Sequence, residues 1–87
     1  GDSMIRARIY DGDIVFIRKQ SMVDNGEIAA VVIDDEATLK RVNYYPEKNL
    51  LILKAENPDY EDLVYTGEQL DHIIILGKAV AFQSDVR

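Results

Sequence analysis

The stretch Glu27-Ile28-Ala29-Ala30-Val31-Val32-Ile33-Asp34-Asp35-Glu36-Ala37-Thr38-Leu39-Lys40-Arg41-Val42-Asn43 decides the fold. The run from Ile28 to Ile33 has no polar position. It is too short for a stable helix and rich in β-branched residues, so it reads as a strand buried on both faces. Asp34-Asp35 then breaks the run with two residues that tolerate tight turns. Ala37 to Asn43 returns, and residues 27 to 43 are expected to form a β-hairpin.

The same grammar extends in both directions. Asp13 to Arg18 is rich in β-formers and follows the turn signal Asp11-Gly12. Asn25-Gly26 marks another turn, and Tyr45 to Asn49 one more around Pro46. Leu50 to Ala55 is the next strand, closed by Asn57-Pro58. Ile73 to Phe82 is a long apolar segment with Gly77 inside it, where a bulge or bend is expected. Met4 to Ile9 is read as one helical turn. Asp59 to Leu70 is read as an extended connection that packs Tyr60, Leu63 and Tyr65 onto the sheet. No segment sustains a helical stripe over three turns. The expected fold is therefore mainly β, a coiled, partly closed β-structure with little helix. Its long terminal strand is a candidate edge for pairing with a second copy, giving a homodimer.

Composition sets the bounds. Eighty-seven residues make one small domain, residues 1–87, and a chain of this size buries only a little over ~60% of its unfolded surface. With 47% hydrophobic and 30% charged residues the chain is globular rather than disordered. It has no cysteine, which excludes disulfides and thiolate metal centres, and His72 is its one histidine, which gives no support for a His-rich metal site. A net charge of −6 argues against DNA binding by this domain itself, because that depends on cations to neutralise phosphates. No apolar run approaches the ~18 residues of a membrane span, and no signal peptide is evident. A cytoplasmic location is expected. The chain opens on Gly1 without an initiator methionine, so it reads as a piece of a longer protein.

Two residues carry the candidate chemistry. Ser3 follows Gly1 by two positions, and a glycine there permits a turn that exposes the hydroxyl and converges backbone N–H groups. A lone serine in this setting is more often simply a terminal residue. Strand alternation puts Lys40 on the face of Thr38 and Val42, opposite Leu39 and Arg41. The plain reading is a solvated strand lysine, and the chemical reading is a desolvated one. A serine can be activated by a neutral lysine amine. An ordinary lysine, with a pKa near ~10.4, is neutral in only about one molecule in a few thousand at pH 7, so the chemical reading requires burial among apolar neighbours. Asp11, Gly12 and Asp13 read as a turn rather than a cation site. Asp34, Asp35 and Glu36 read as a solvated hairpin tip, His72 as a surface or rim residue, and Tyr44 and Tyr45 as edge packing or interface.

Taken in register, Gly1-Asp2-Ser3-Met4, Tyr10-Asp11-Gly12-Asp13-Ile14-Val15, Asn25-Gly26-Glu27-Ile28-Ala29 and Asp34-Asp35-Glu36-Ala37-Thr38-Leu39-Lys40-Arg41-Val42 form one ordered pattern. It continues through Leu51 to Ala55, Glu56-Asn57-Pro58 with Tyr60, and Gly77-Lys78-Ala79-Val80. The pattern resembles the C-terminal peptidase domain of LexA and phage CI-type repressors, which UmuD shares, over essentially the whole chain. The resemblance implies a β-fold of the LexA and signal-peptidase type. It matches Ser3 to a nucleophile, Lys40 to its general base, and the backbone N–H groups of Asp2 and Ser3 to the oxyanion donors. It implies no metal or cofactor. It further implies a homodimer that cuts a bond in its own upstream linker when stimulated by RecA filaments, with DNA bound only through an N-terminal helix-turn-helix domain. Neither that domain nor the linker with its scissile bond is present here. Family members often carry proline soon after the Ser-Met pair, whereas Ile5-Arg6-Ala7-Arg8 follows here. Two other readings stand beside this one: a catalytically inactive dimerisation module of a repressor, and an UmuD-like polymerase accessory protein. Signal peptidases share the Ser–Lys chemistry but require a membrane anchor.

Overall fold

In the computed structural model the described residues are 4–7, 13–55 and 59–84. They form one seven-stranded antiparallel sheet in the order β1-β2-β7-β3-β4-β5-β6. The strands are β1 (Met4–Ala7), β2 (Asp13–Lys19), β3 (Ile28–Ile33), β4 (Glu36–Tyr45), β5 (Leu50–Lys54), β6 (Leu63–Thr66) and β7 (Ile73–Ser84). Helix is limited to two 3-10 segments, Pro46–Lys48 and Gly67–His72. The sheet is mainly β and not closed, as the sequence leads one to expect.

The hairpin of β3 and β4 is the centre of the sheet. Ile33 pairs with Glu36 across Asp34 and Asp35. Both aspartates have left-handed backbone, φ 51 and 67, which is the geometry of a two-residue turn matched to strand twist. Ala29, Ala30 and Val31 are all buried, so β3 is covered on both sides. Alternation assigns its residues to two clusters. Ala29 and Val31 join Val23, Val42, Leu51 and Leu53 on one face. Ala30 joins Val15, Ile17 and Leu39 on the other. Coiling of the sheet lets a chain this short cover both faces of its central strands.

Strand β7 makes that coiling possible. Its ladder with β3 slips between Ala30↔Gly77 and Val31↔Ile75, and its ladder with β2 slips between Phe16↔Ala81 and Ile17↔Ala79. Leu76 and Val80 are the extra residues, and bulges of this kind bend a strand. Gly77 lies between them. A Cβ there would sit 2.2 Å from the carbonyl oxygen of Arg18 and 2.6 Å from Ile17 Cγ2, so only glycine admits this approach of β2.

Four expectations need correction. Met4–Ala7 is a strand paired with β2 from Met4↔Arg18 to Ala7↔Val15, not a helical turn. Its backbone partners come from distant sequence, which local pattern does not reveal. The connection after Asp59 is extended as expected only through strand β6, and from Gly67 it turns into a 3-10 segment. Leu63 and Tyr65 do pack against the core, but Tyr60 is 68% exposed. The apolar terminal strand is not an outer strand, because β7 lies between β2 and β3 and the outer strands are β1 and β6; its second half, Ala79–Ser84, nevertheless has no described strand on the side away from β2.

Candidate functional site

Lys40 sits on β4, paired across the ladder with Ala29, which in turn pairs with Lys78 of β7. Paired residues share a face, so Lys40 stands on the face of Ala29, Val31 and Val42, as alternation indicated. Ala29 and Val42 are fully buried and Lys40 is half-buried. On its other flank the β4–β5 ladder begins only at Arg41↔Lys54. Lys40 therefore has no strand partner there among the described residues. It lines a cavity of about 260 Å³ together with Ile33, Asp34, Glu36, Thr38 and Leu63 among the described residues. Among the described residues nothing forms a hydrogen bond or ion pair with Lys40.

The neighbouring charges are arranged differently. The Lys78 ammonium lies 2.5 Å from Glu27 Oε2, and the Asp24 backbone N–H donates to Glu27 Oε1 at 2.7 Å. These contacts, the lysine first, hold the Glu27 carboxyl below its usual value. Glu27 is thus engaged on the far side of Ala29. Asp34 and Glu36 are exposed at the hairpin end, as a solvated tip should be, yet they also line the cavity.

The segment leading into β3 is tied down by side chains. The Asn25 side chain bonds both backbone groups of Tyr44, and Arg41 donates to the carbonyl of Gly26. Val42 continues the ladder, accepting from Gly26 N–H at 2.8 Å and donating to the Glu27 carbonyl at 2.9 Å. These contacts fix the register of β4 and with it the position of Lys40. Their sequence signal was Asn25-Gly26 alone, which announces a turn but not this clasp.

Asp2 and Ser3 lie outside the described residues, as do Asp11, Gly12, Asn57 and Pro58. His72 is exposed at the end of its 3-10 segment, and Tyr44 packs against the core. A second cavity, of about 190 Å³, lies between Ser21, Met22, Tyr44, Leu51, Leu70, Ile73 and Ile75 and is mostly apolar. Neither cavity is evident from the sequence, because the first needs Leu63 brought to the β3–β4 hairpin and the second gathers residues from Ser21 to Ile75. Among the described residues no helix is long and apolar enough to cross a membrane.

Comparison with known proteins gives a consistent result. Residues 1–80 match the family described as Peptidase S24-like. The LexA repressor of Desulfitobacterium hafniense strain DCB-2 is 45% identical over 80 residues, 92% of this chain and 36% of that repressor. The LexA repressor of Desulforamulus reducens is 43% identical over 86 residues, 99% of this chain and 37% of that protein. The LexA repressor of Bacillus cytotoxicus is 40% identical over 87 residues, 99% of this chain and 39% of that protein. The chain spans little more than a third of the length of these relatives. With a family match over nearly its whole length, on a sheet of the expected class, the chain belongs to the Peptidase S24-like family.

Proposed function

We propose that this chain is the C-terminal domain of a LexA-like repressor, and that it cuts its own upstream linker through Ser3 and Lys40. The observation that carries this reading is the setting of Lys40. Lys40 is a half-buried residue paired with fully buried Ala29, it lines a cavity, and it has no polar partner among the described residues.

The chemistry is acyl transfer. Lys40 Nζ, as the neutral amine, accepts the Ser3 hydroxyl proton while Ser3 Oγ adds to the linker carbonyl carbon. The backbone N–H groups of Asp2 and Ser3 stabilise the oxyanion. Collapse breaks the C–N bond, and the Lys40 ammonium returns its proton to the departing amine. Water, giving a proton to the same lysine, then adds to the ester carbonyl; the C–Oγ bond breaks, and the Lys40 ammonium returns the proton to Ser3 Oγ.

The other roles of this proposal rest on the resemblance to LexA-type repressors alone. The domain pairs two repressor copies, a RecA filament stimulates cleavage, and DNA is bound by a separate N-terminal domain. On the side of Ala79–Ser84 facing away from β2, no described strand is paired, which leaves a ladder open to a second copy.

The test is self-cleavage of the full-length protein at alkaline pH. Cleavage is expected for the native sequence and is lost in Ser3→Ala and in Lys40→Ala. Cleavage that persists in either variant removes the dyad. Cutting of a linker peptide supplied in trans separates this reading from an inactive dimerisation module.

A further inference from the structure

The cavity beside Lys40 has two unlike walls. Ile33 and Leu63 provide apolar surface, and both are half-buried. Asp34 and Glu36 provide two carboxylates at the hairpin end, and both are exposed. Thr38 and Lys40 make up the β4 side. With Lys40 protonated the described lining residues carry a net charge of one negative unit, and with Lys40 neutral they carry two. Either way the cavity attracts a cation. An anion would meet two carboxylates, and a purely apolar group would leave them facing it.

We infer that this cavity is a subsite for one basic side chain of the polypeptide that the site engages. The methylene stem lies on Ile33 and Leu63, and the charged head meets Asp34 and Glu36 at the mouth. Long basic side chains favour this division, burying the stem while the head stays at the water boundary. A guanidinium suits it best, since its planar fork can reach two carboxylates. Calling the occupant a substrate side chain rests on the reading of Lys40 as the general base, whereas binding itself does not.

Binding is therefore measured without cleavage, on the Ser3→Ala chain. The probes are an alanine-rich peptide carrying one arginine and the same peptide carrying citrulline, its neutral isostere. The arginine peptide is expected to bind about fivefold more tightly, the scale of exposed ion pairs, and the advantage should shrink with added salt. It should vanish in Asp34→Asn/Glu36→Gln, where asparagine still tolerates the turn backbone. Equal binding of the two peptides, or an advantage that survives in the double variant, overturns the inference. A second arm does not depend on the peptide. Titration of n-butylguanidinium into the chain should shift the methyl resonances of Ile33 and Leu63, and n-butylurea should not. Failure of both probes to move those methyls up to the solubility limit also overturns the inference. Tight arginine binding combined with absent self-cleavage in the full-length protein would instead retain the subsite and remove the dyad.

Discussion

The side-chain amide of Asn25 pairs with the backbone of Tyr44 as a strand residue would. Its Oδ1 accepts from the Tyr44 N–H at 2.6 Å and its Nδ2 donates to the Tyr44 carbonyl at 3.1 Å. The β3–β4 ladder ends before Tyr44, so this side chain extends it by one more pair. Because Tyr44 packs on the core next to Leu51, the clasp also holds the segment that carries Val23 over that core. Asn25→Ala removes both bonds and should cost about 1–2 kcal/mol in urea unfolding, the scale of two ordinary hydrogen bonds in a solvated site. Asn25→Ser, too short to reach both groups, should cost nearly as much. A loss near zero would mean that water replaces the amide without penalty.

Two glycines are predicted to respond differently to the same methyl group. At Gly77 the new Cβ would meet backbone, the Arg18 carbonyl at 2.2 Å. Relief requires β2 and β7 to separate, and Gly77→Ala should cost about 3 kcal/mol or more. At Gly26 nothing lies within 4 Å, but φ is +93. Gly26→Ala should cost roughly 1–2 kcal/mol through backbone strain alone. Paired thermal or urea melts give the order, and the reverse order would contradict the bulged approach of β2 to β7.

How much of this was legible in the sequence depended on how local the cause was. The β3–β4 hairpin could be read from Ile28 to Asn43, because both its apolar run and its Asp34-Asp35 turn lie within one short stretch. Gly77 marked its own bulge, since glycine in an apolar strand has few other purposes. The strand Met4–Ala7 could not be read, because it exists through pairing with Val15 to Arg18. Nor could the central place of β7, which looked like an edge only because it comes last. Lys40 was placed on its correct face by alternation. Its cavity was not foreseen, because Leu63 reaches it through the β5–β6 pairing from twenty-odd residues away.

The Glu27–Lys78 pair gives a pH-dependent stability with a defined sign. The folded-state pKa of Glu27 is lowered, chiefly by Lys78 and then by the Asp24 N–H. Its contribution is therefore present above the unfolded carboxyl value, ~4.3. It is lost as pH falls through the lower folded value. Unfolding midpoints of the native chain and of Glu27→Gln should differ at neutral pH and converge in acid. The difference should also shrink with salt, because the pair is at the surface. Lys78→Met should produce a loss of the same sign at neutral pH. A Glu27→Gln difference that stays constant into strong acid would show that packing rather than charge accounts for it.

The sharpest test of the Ser–Lys reading is whether two losses combine as one. Lys40→Arg keeps a long cationic side chain on β4, but a guanidinium stays protonated and cannot accept the serine proton. In the full-length protein it should slow self-cleavage by about 10²–10⁴-fold, the usual scale of a lost general base. Ser3→Ala should be at least as slow. Residues that act as a unit are strongly non-additive, so Ser3→Ala/Lys40→Arg should cleave no more slowly than Ser3→Ala alone. Single-turnover cleavage, with circular dichroism to confirm that each variant is folded, measures all three. If the two losses multiply, Lys40 serves the reaction by some route other than taking the Ser3 proton. If Lys40→Arg cleaves at the native rate, the amine is not the base, and another group must be sought on this face of the sheet.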